Sequence, residues 1–289
     1  MDYETPDGSH FSLREIWRST NSGKEEFVYT TISATVDDRA YVGRLAERIE
    51  DVDEGDVLSA LESVPLEAIY PSFGEGMMKA PAFDPSKHYL KAPSFTWDDC
   101  QPGVTFVADC VLSEVNVFER LQKHQGEMRS REGFDAPSST SNLGSPPASL
   151  TCPNIIAYHG CVTKDDRITR ICLERADGNI VDVIESSTKP PDLAKLISDV
   201  KAGIDFIHSL GMAHNDINPD NICIVDGRAV IVDFDGCLPF GEKLMKGVSI
   251  VRNHLDYPIS AAENDWRGLE DLESFLASLR QGNASAPLG

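Results

Sequence analysis

The 289-residue sequence predicts an α+β chain. Three observations carry that reading. The run Glu26–Val36 (EFVYTTISATV) is dense in β-branched and aromatic residues and reads as a strand. Leu193, Leu196, Ile197, Val200, Ile204 and Ile207 recur at helical spacing and mark an amphipathic helix. Ile222–Val225 and Ala229–Val232 flank Asp226-Gly227, a strong signal for a β-hairpin. The length suits one large domain or two lobes sharing a cleft.

Taken in order, residues 1–25 are polar and are expected to be poorly ordered. After the first strand, Tyr41, Leu45 and Ile49 recur at helical spacing, as do Val57, Leu58 and Leu61. Prolines and glycines interrupt Pro65–Pro93 repeatedly, which predicts extended chain with one short strand at His88–Lys91. Val104, Val107, Val111, Val115, Phe118 and Leu121 trace one helical face. The Ser-, Pro- and Gly-rich segment Gln125–Thr151 cannot bury enough apolar surface to order itself and reads as a mobile insertion. Structure resumes at Pro153-Asn154-Ile155-Ile156, with a strand near Arg167–Leu173. Pro190 and Pro191 precede the helix that carries Leu193, and Gly211 closes it. A last helix carries Trp266, Leu269, Leu272, Phe275 and Leu279. No internal repeat is evident.

Composition narrows the partners. Forty-one per cent of residues are hydrophobic, enough for a core, and 47 acidic against 26 basic residues give a net charge of −21. Such a surface repels phosphate backbones and anionic lipid, so neither nucleic acid nor membrane is expected as a partner. Seven cysteines form no C-x-x-C pair and several sit in apolar runs, where a reduced thiol packs as a small hydrophobe. The N-terminus lacks a basic region followed by an apolar one, and no apolar run is long enough to span a bilayer. A soluble, cytoplasmic setting is expected.

The stretch His214–Gly236 (HNDINPDNICIVDGRAVIVDFDG) carries the chemistry. It sets His214, Asp216 and Asn221 in an H-x-D-x-x-x-x-N array and delivers Asp233 in a D-F-D-G turn after the hairpin. Phosphoryl transfer from a nucleotide needs a carboxylate to orient the acceptor hydroxyl beside hard oxygen ligands for magnesium. This spacing supplies both.

From about Lys91 to Leu279 the chain resembles the eukaryotic protein-kinase-like superfamily. Within it, the sequence is similar to short, divergent kinase-like proteins of filamentous fungi with HNDxNPxN loops and a late S-x-x-E-N-D element, here Ser260–Asp265. The resemblance implies a bilobal protein-kinase-like α+β fold with an atypical N-lobe and a truncated, mainly helical C-lobe. Its boundaries would be a supplement at 1–64, an N-lobe at 65–176 with the insertion 125–151, and a C-lobe at 177–289. ATP and Mg²⁺ are the implied cofactors, and a Ser/Thr-type hydroxyl is the implied acceptor. Asp216 matches the catalytic Asp, while Asn221 and Asp233 match the metal ligands. His214 and Phe234 match packing residues. Lys91 matches the strand lysine on the α- and β-phosphates, and Glu114 matches the helix glutamate that pairs with it. Leu173, Glu174, Arg175 and Ala176 match the gatekeeper and hinge, whose backbone would hold adenine. Asp265 resembles the helix Asp that supports the catalytic loop.

The sequence departs from the family in three places. No G-x-G-x-x-G precedes Lys91; Gly74 and Gly76 form only a G-x-G, for which a turn is the simpler reading. Residues 26–64 are expected to supply N-lobe structure in its stead. Asp235 replaces the D-F-G glycine, and Asn218 stands where serine/threonine kinases carry a lysine that neutralises the transferred phosphoryl group. Three readings stay open: a minimal protein kinase, a small-molecule kinase of the aminoglycoside or choline type, and a nucleotide-binding pseudokinase. The joint presence of Asp216, Asn221 and Asp233 favours an active enzyme.

Overall fold

The computed structural model describes residues 2–4, 10–20, 23–131, 152–187, 191–244 and 258–284. In chain order the elements are β1 (Asp2–Glu4), β2 (His10–Ser19), β3 (Glu25–Val36), β4 (Arg39–Leu45), α1 (Glu54–Ala60), β5 (Glu62–Ser63), α2 (Leu66–Ile69), β6 (His88–Lys91), α3 (Phe106–Arg131), β7 (Tyr158–Lys164) and β8 (Arg167–Glu174). There follow β9 (Gly178–Asn179), α4 (Ile180–Ser186), α5 (Leu193–Ser209), β10 (Met212–Ala213), β11 (Ile222–Val225), β12 (Arg228–Ile231), β13 (Leu238–Pro239) and α6 (Ala262–Ala284). The fold is thus mixed helix and sheet. Strands β1 to β5 form one five-stranded antiparallel sheet in sequence order. The smaller sheets have the orders β6-β8-β7, β12-β11-β9 and β10-β13.

By contact density the chain divides into two compact units, neither continuous in sequence. The first holds 1–76, 91–112 and 161–170; the second holds 77–90, 113–160 and 171–289.

In the first unit, β3 and β4 are joined by Asp37-Asp38, both at positive φ (50° and 60°), as a two-residue turn of the I′ kind requires. The same device, Asp165-Asp166, joins β7 to β8. The core gathers Ala40, Val42, Val64, Ala68, Ile69, Tyr70, Phe95 and Val107, flanked by Trp97, Cys100 and Phe106. Helix α1 opens on a capping box, Asp53 accepting from the Asp56 N–H and returning its own N–H to the Asp56 carboxylate.

Several expectations fail here. Residues 10–19 are a strand paired with β3 along its whole length, with one register shift between Ile16 and Trp17. Backbone ladder bonds order a segment whose polar composition gave no such signal. Tyr41 and Leu45 lie on β4, not a helix, because a spacing of four also satisfies period two; the buried pair Ala40 and Val42 shows the true alternation. Part of the expected insertion, as far as Arg131, continues α3; residues 132–151 lie outside the described residues.

In the second unit, α5 packs on β12, β10 and α6. Gly203 makes the β12 contact close: a Cβ there would stand 2.8 Å from Asn154 O and from Ile231 Cδ1. Asp226-Gly227, both at positive φ, closes the β11–β12 hairpin as expected. No described helix is long and apolar enough to cross a membrane.

Candidate active site

The site is assembled at the ends of three short elements of the second unit. After α5 and β10 the chain turns through Asn215, held at φ +66°, and presents Asp216 half-buried. A 3-10 turn, Pro219–Asn221, follows, with Asn218 as its cap. The sequence Asn-Pro-Asp explains this turn: proline fixes the first turn position, and the asparagine side chain accepts the backbone N–H groups of Asp220 (2.9 Å) and Asn221 (3.3 Å).

Both carboxylate oxygens of Asp216 are engaged by carboxamides. Asn221 Nδ2 donates to Oδ2 at 2.8 Å and to the Asp216 carbonyl at 2.9 Å. Asn218 Nδ2 donates to Oδ1 at 2.8 Å. The Asn221 carbonyl in turn accepts from the Val232 N–H at 3.0 Å, which sets the residue preceding Asp233 against the loop that carries Asp216. Asp233 itself has φ +65°, an uncommon backbone state for a non-glycine residue. Asn221 is buried, Asp233 half-buried and Asp235 exposed.

A row of rings supports these loops. His214, Phe234 and Phe118 follow one another with centroids 5.0 and 5.1 Å apart, and Tyr158 stacks on Phe118 at 5.0 Å. His214 and Phe234 are fully enclosed. His214 Nε2 lies 3.0 Å from the Val232 carbonyl and donates to it, and its Nδ1 is buried with no protein partner. Glu114, buried on α3, accepts the Phe234 N–H at 3.2 Å. Beneath the loop, fully buried Asp265 on α6 accepts from the N–H of His214 (2.9 Å) and of Asn215 (2.7 Å), and contacts His208 Nε2 at 2.8 Å.

The hinge matches occupy the end of β8 and its exit. Leu173 is buried; the Glu174 N–H donates to Ala157 O and the Arg175 N–H to Lys87 O, both at 2.8 Å. Ala176 lies half-buried just beyond. Lys91 ends β6 and belongs to the first unit, whereas Glu114 belongs to the second. Gly76, at φ +87°, sits in a turn, in keeping with the simpler reading of the G-x-G. Ser249 and Tyr257, hydroxyls of the loop after Asp233, fall outside the described residues, and Ser260 is buried, donating to Leu238 O.

Sequence reasoning missed the cap formed by Asn218, the His208 contact and the ring pair Phe118–Tyr158. The Asn-Pro-Asp turn signal was available for the first. Phe118 lies one helical turn after Glu114 and could have been read the same way.

Among the described residues no group of three or more His, Cys, Asp or Glu forms a metal cluster. Magnesium needs less: one or two protein oxygens and the nucleotide's own phosphates suffice. Asn221 Nδ2 donates to Asp216, so a metal at Asn221 would take its Oδ1, a hard oxygen like those of the Asp233 carboxylate. The donor set fits. Cys172 and Cys237 are buried and carry thiols pushed up by that burial, in Cys237 also by Asp265, so neither is a reactive thiolate. A cavity of about 410 Å³ lies within the first unit, lined by Asp37, Asp38, Arg39, Tyr70, Lys164 and Arg167 among others, and by none of the site residues above.

Comparison with known proteins agrees with this geometry. Residues 147–249, a little over a third of the chain, match the family model for the protein kinase domain. The chain is 28% identical over 136 residues to the serine/threonine-protein kinase Tao of Drosophila melanogaster, covering 46% of this chain and 13% of that protein. It is 30% identical over 141 residues to the sensor for unfolded proteins in the ER ire1 of Schizosaccharomyces pombe (43% and 12%). It is 35% identical over 99 residues to the probable serine/threonine-protein kinase irlC of Dictyostelium discoideum (28% and 7%). The chain thus spans only a small part of these relatives. Over these stretches, the first of which includes Asp216, Asn221 and Asp233, the chain is similar to protein kinases.

Proposed function

We propose that this chain is an ATP- and Mg²⁺-dependent phosphotransferase of protein-kinase type that phosphorylates a Ser/Thr-like hydroxyl. The observation that supports it most is Asp216, held on both carboxylate oxygens by the amides of Asn218 and Asn221. The two amides fix the plane of the carboxylate, the group type that accepts a hydrogen bond from an acceptor hydroxyl. In this role Asp216 orients that hydroxyl and takes its proton late in transfer. Asn221 and Asp233 would hold magnesium, which neutralises phosphate charge when bound. The Glu174 carbonyl and the Ala176 N–H are the hinge groups assigned to adenine, below the gatekeeper Leu173. Lys91 is assigned to the nucleotide phosphates and Glu114 to ordering the loop that carries Asp233. The five-stranded sheet stands as an atypical N-lobe element lacking a glycine-rich loop, and α6 as a C-lobe helix. The setting is intracellular, with ATP and the acceptor as partners and neither nucleic acid nor membrane.

Two side chains favour a second reading, a metabolite kinase. Exposed Asp235 replaces a glycine, and Asn218 supplies no cation to the transferred group.

The test is transfer from γ-labelled ATP to generic protein substrates and, separately, to an extract of small metabolites. The Asp216→Asn variant should bind ATP·Mg²⁺ and lose turnover, and Asp233→Ala should lose magnesium-dependent binding. Wild-type rates in both variants would falsify the assignment.

A further inference from the structure

We infer that Asn218 is a positioning residue that couples the acceptor-orienting carboxylate to the metal-ligand turn. The inference rests on the reading just proposed. One carboxamide does both jobs. Its Nδ2 donates to Asp216 Oδ1 at 2.8 Å and reaches the Asp216 carbonyl at 3.3 Å. Its Oδ1 accepts the N–H groups of Asp220 and Asn221. The turn so capped carries Asn221, whose amide closes on the other oxygen of the same carboxylate. Asp216, Asn218 and Asn221 therefore form a closed ring of hydrogen bonds, donor to acceptor: 218 to 216, 221 to 216, and 221 to 218.

A lysine at this position could give the carboxylate a cation but could not accept the two N–H groups. The sequence gains a rigid neutral clamp where it gives up a charge. Rotation of the Asp216 carboxylate about its last torsion breaks a bond to one asparagine or the other, so its plane is fixed before a substrate arrives. Positioning of this kind acts on turnover while leaving nucleotide affinity alone.

Two measurements on the full chain test this. The first needs no activity: a double-mutant cycle of Asp216→Ala and Asn218→Ala, read as melting temperature. Losses of the single variants that fail to add are expected; additive losses overturn the clamp. The second uses Asn218→Asp, which keeps an acceptor for the Asp220 and Asn221 N–H groups but cannot donate to Asp216. Its thermal shift with ATP·Mg²⁺ should match wild type while kcat falls about tenfold to a hundredfold, with KM for ATP unchanged. Wild-type kcat in Asn218→Asp, or a loss seen only in ATP affinity, overturns the positioning role. An inactive wild-type chain would instead strike the proposed function, and the cycle would still judge the clamp.

Discussion

The buried carboxylate of Asp265 holds the backbone N–H groups of His214 and Asn215, at 2.9 and 2.7 Å. A residue some fifty positions downstream thus sets the conformation of the loop that presents Asp216. Asn215 needs that support, since it sits at φ +66°, and its own amide is tied to Ala213 O, Gly236 O and Ser260 Oγ, each at 3.0 Å. Replacing Asp265 by alanine leaves two buried donors unpaired, at about 1–3 kcal/mol each. Chemical denaturation should show a loss of several kcal/mol, and Asp265→Asn, which keeps an acceptor, should lose less. Equal stability of wild type and Asp265→Ala would remove this account of the loop.

Helix α6 can approach the loop only because residue 268 is glycine. A Cβ there would lie 2.4 Å from the Ile217 carbonyl, inside contact distance to backbone, which cannot move aside as a side chain can. Gly268→Ala should lower the melting temperature and reduce turnover together, because the displaced residue is adjacent to Asp216. An unchanged melting temperature would mean the helix has slack that the structure does not show.

Phe234 is enclosed between His214 and Phe118, and its N–H is bound by Glu114. Phe234→Leu keeps an apolar filling but loses the ring edges. Phe234→Ala opens a cavity, at about 3–5 kcal/mol. Glu114→Gln retains an acceptor for the Phe234 N–H and should be mild in denaturation, whereas Glu114→Ala leaves that donor buried, at about 1–3 kcal/mol. A Gln variant as damaging as Ala would assign the effect to charge and not to this hydrogen bond.

The loop from His214 to Asn221 was legible in sequence because its hydrogen bonds are local. Asp216 and Asn221 are five residues apart, and after the Asp226-Gly227 hairpin the Val232 N–H meets the Asn221 carbonyl. What was missed depends on partners far away in the chain. Strand β2 has half-exposed, mixed side chains and gains its order from ladder bonds to β3, so nothing in residues 10–19 alone announces it. Tyr41 and Leu45 mislead because an interval of four fits both periods; the Asp37-Asp38 turn was the better clue, but the I′ turn is usually signalled by Asn-Gly or Asp-Gly. Asp265 could be assigned from its motif, while its contact with His208 could not, since that pair is fixed only by the packing of α5 on α6.

His159 offers a pH test within the second unit. Its imidazole is half-buried, with His88 at a ring distance of 4.9 Å, and burial, then the neighbouring histidine, lowers its pKa below the usual value near 6.5. His88 accepts the Asp84 N–H on Nδ1 (3.1 Å). With the folded pKa depressed, the unfolded chain takes up a proton first as pH falls through about 6.5. Stability from this group is therefore present above that pH and declines below it. Many carboxylates also titrate in acid, so the difference between wild type and His159→Gln isolates the effect. The wild-type melting temperature should fall more steeply from pH 7.5 to 5.5 than that of the variant. Parallel curves would show that His159 binds its proton equally well in both states, and that the packing around β7 is looser than its contacts imply.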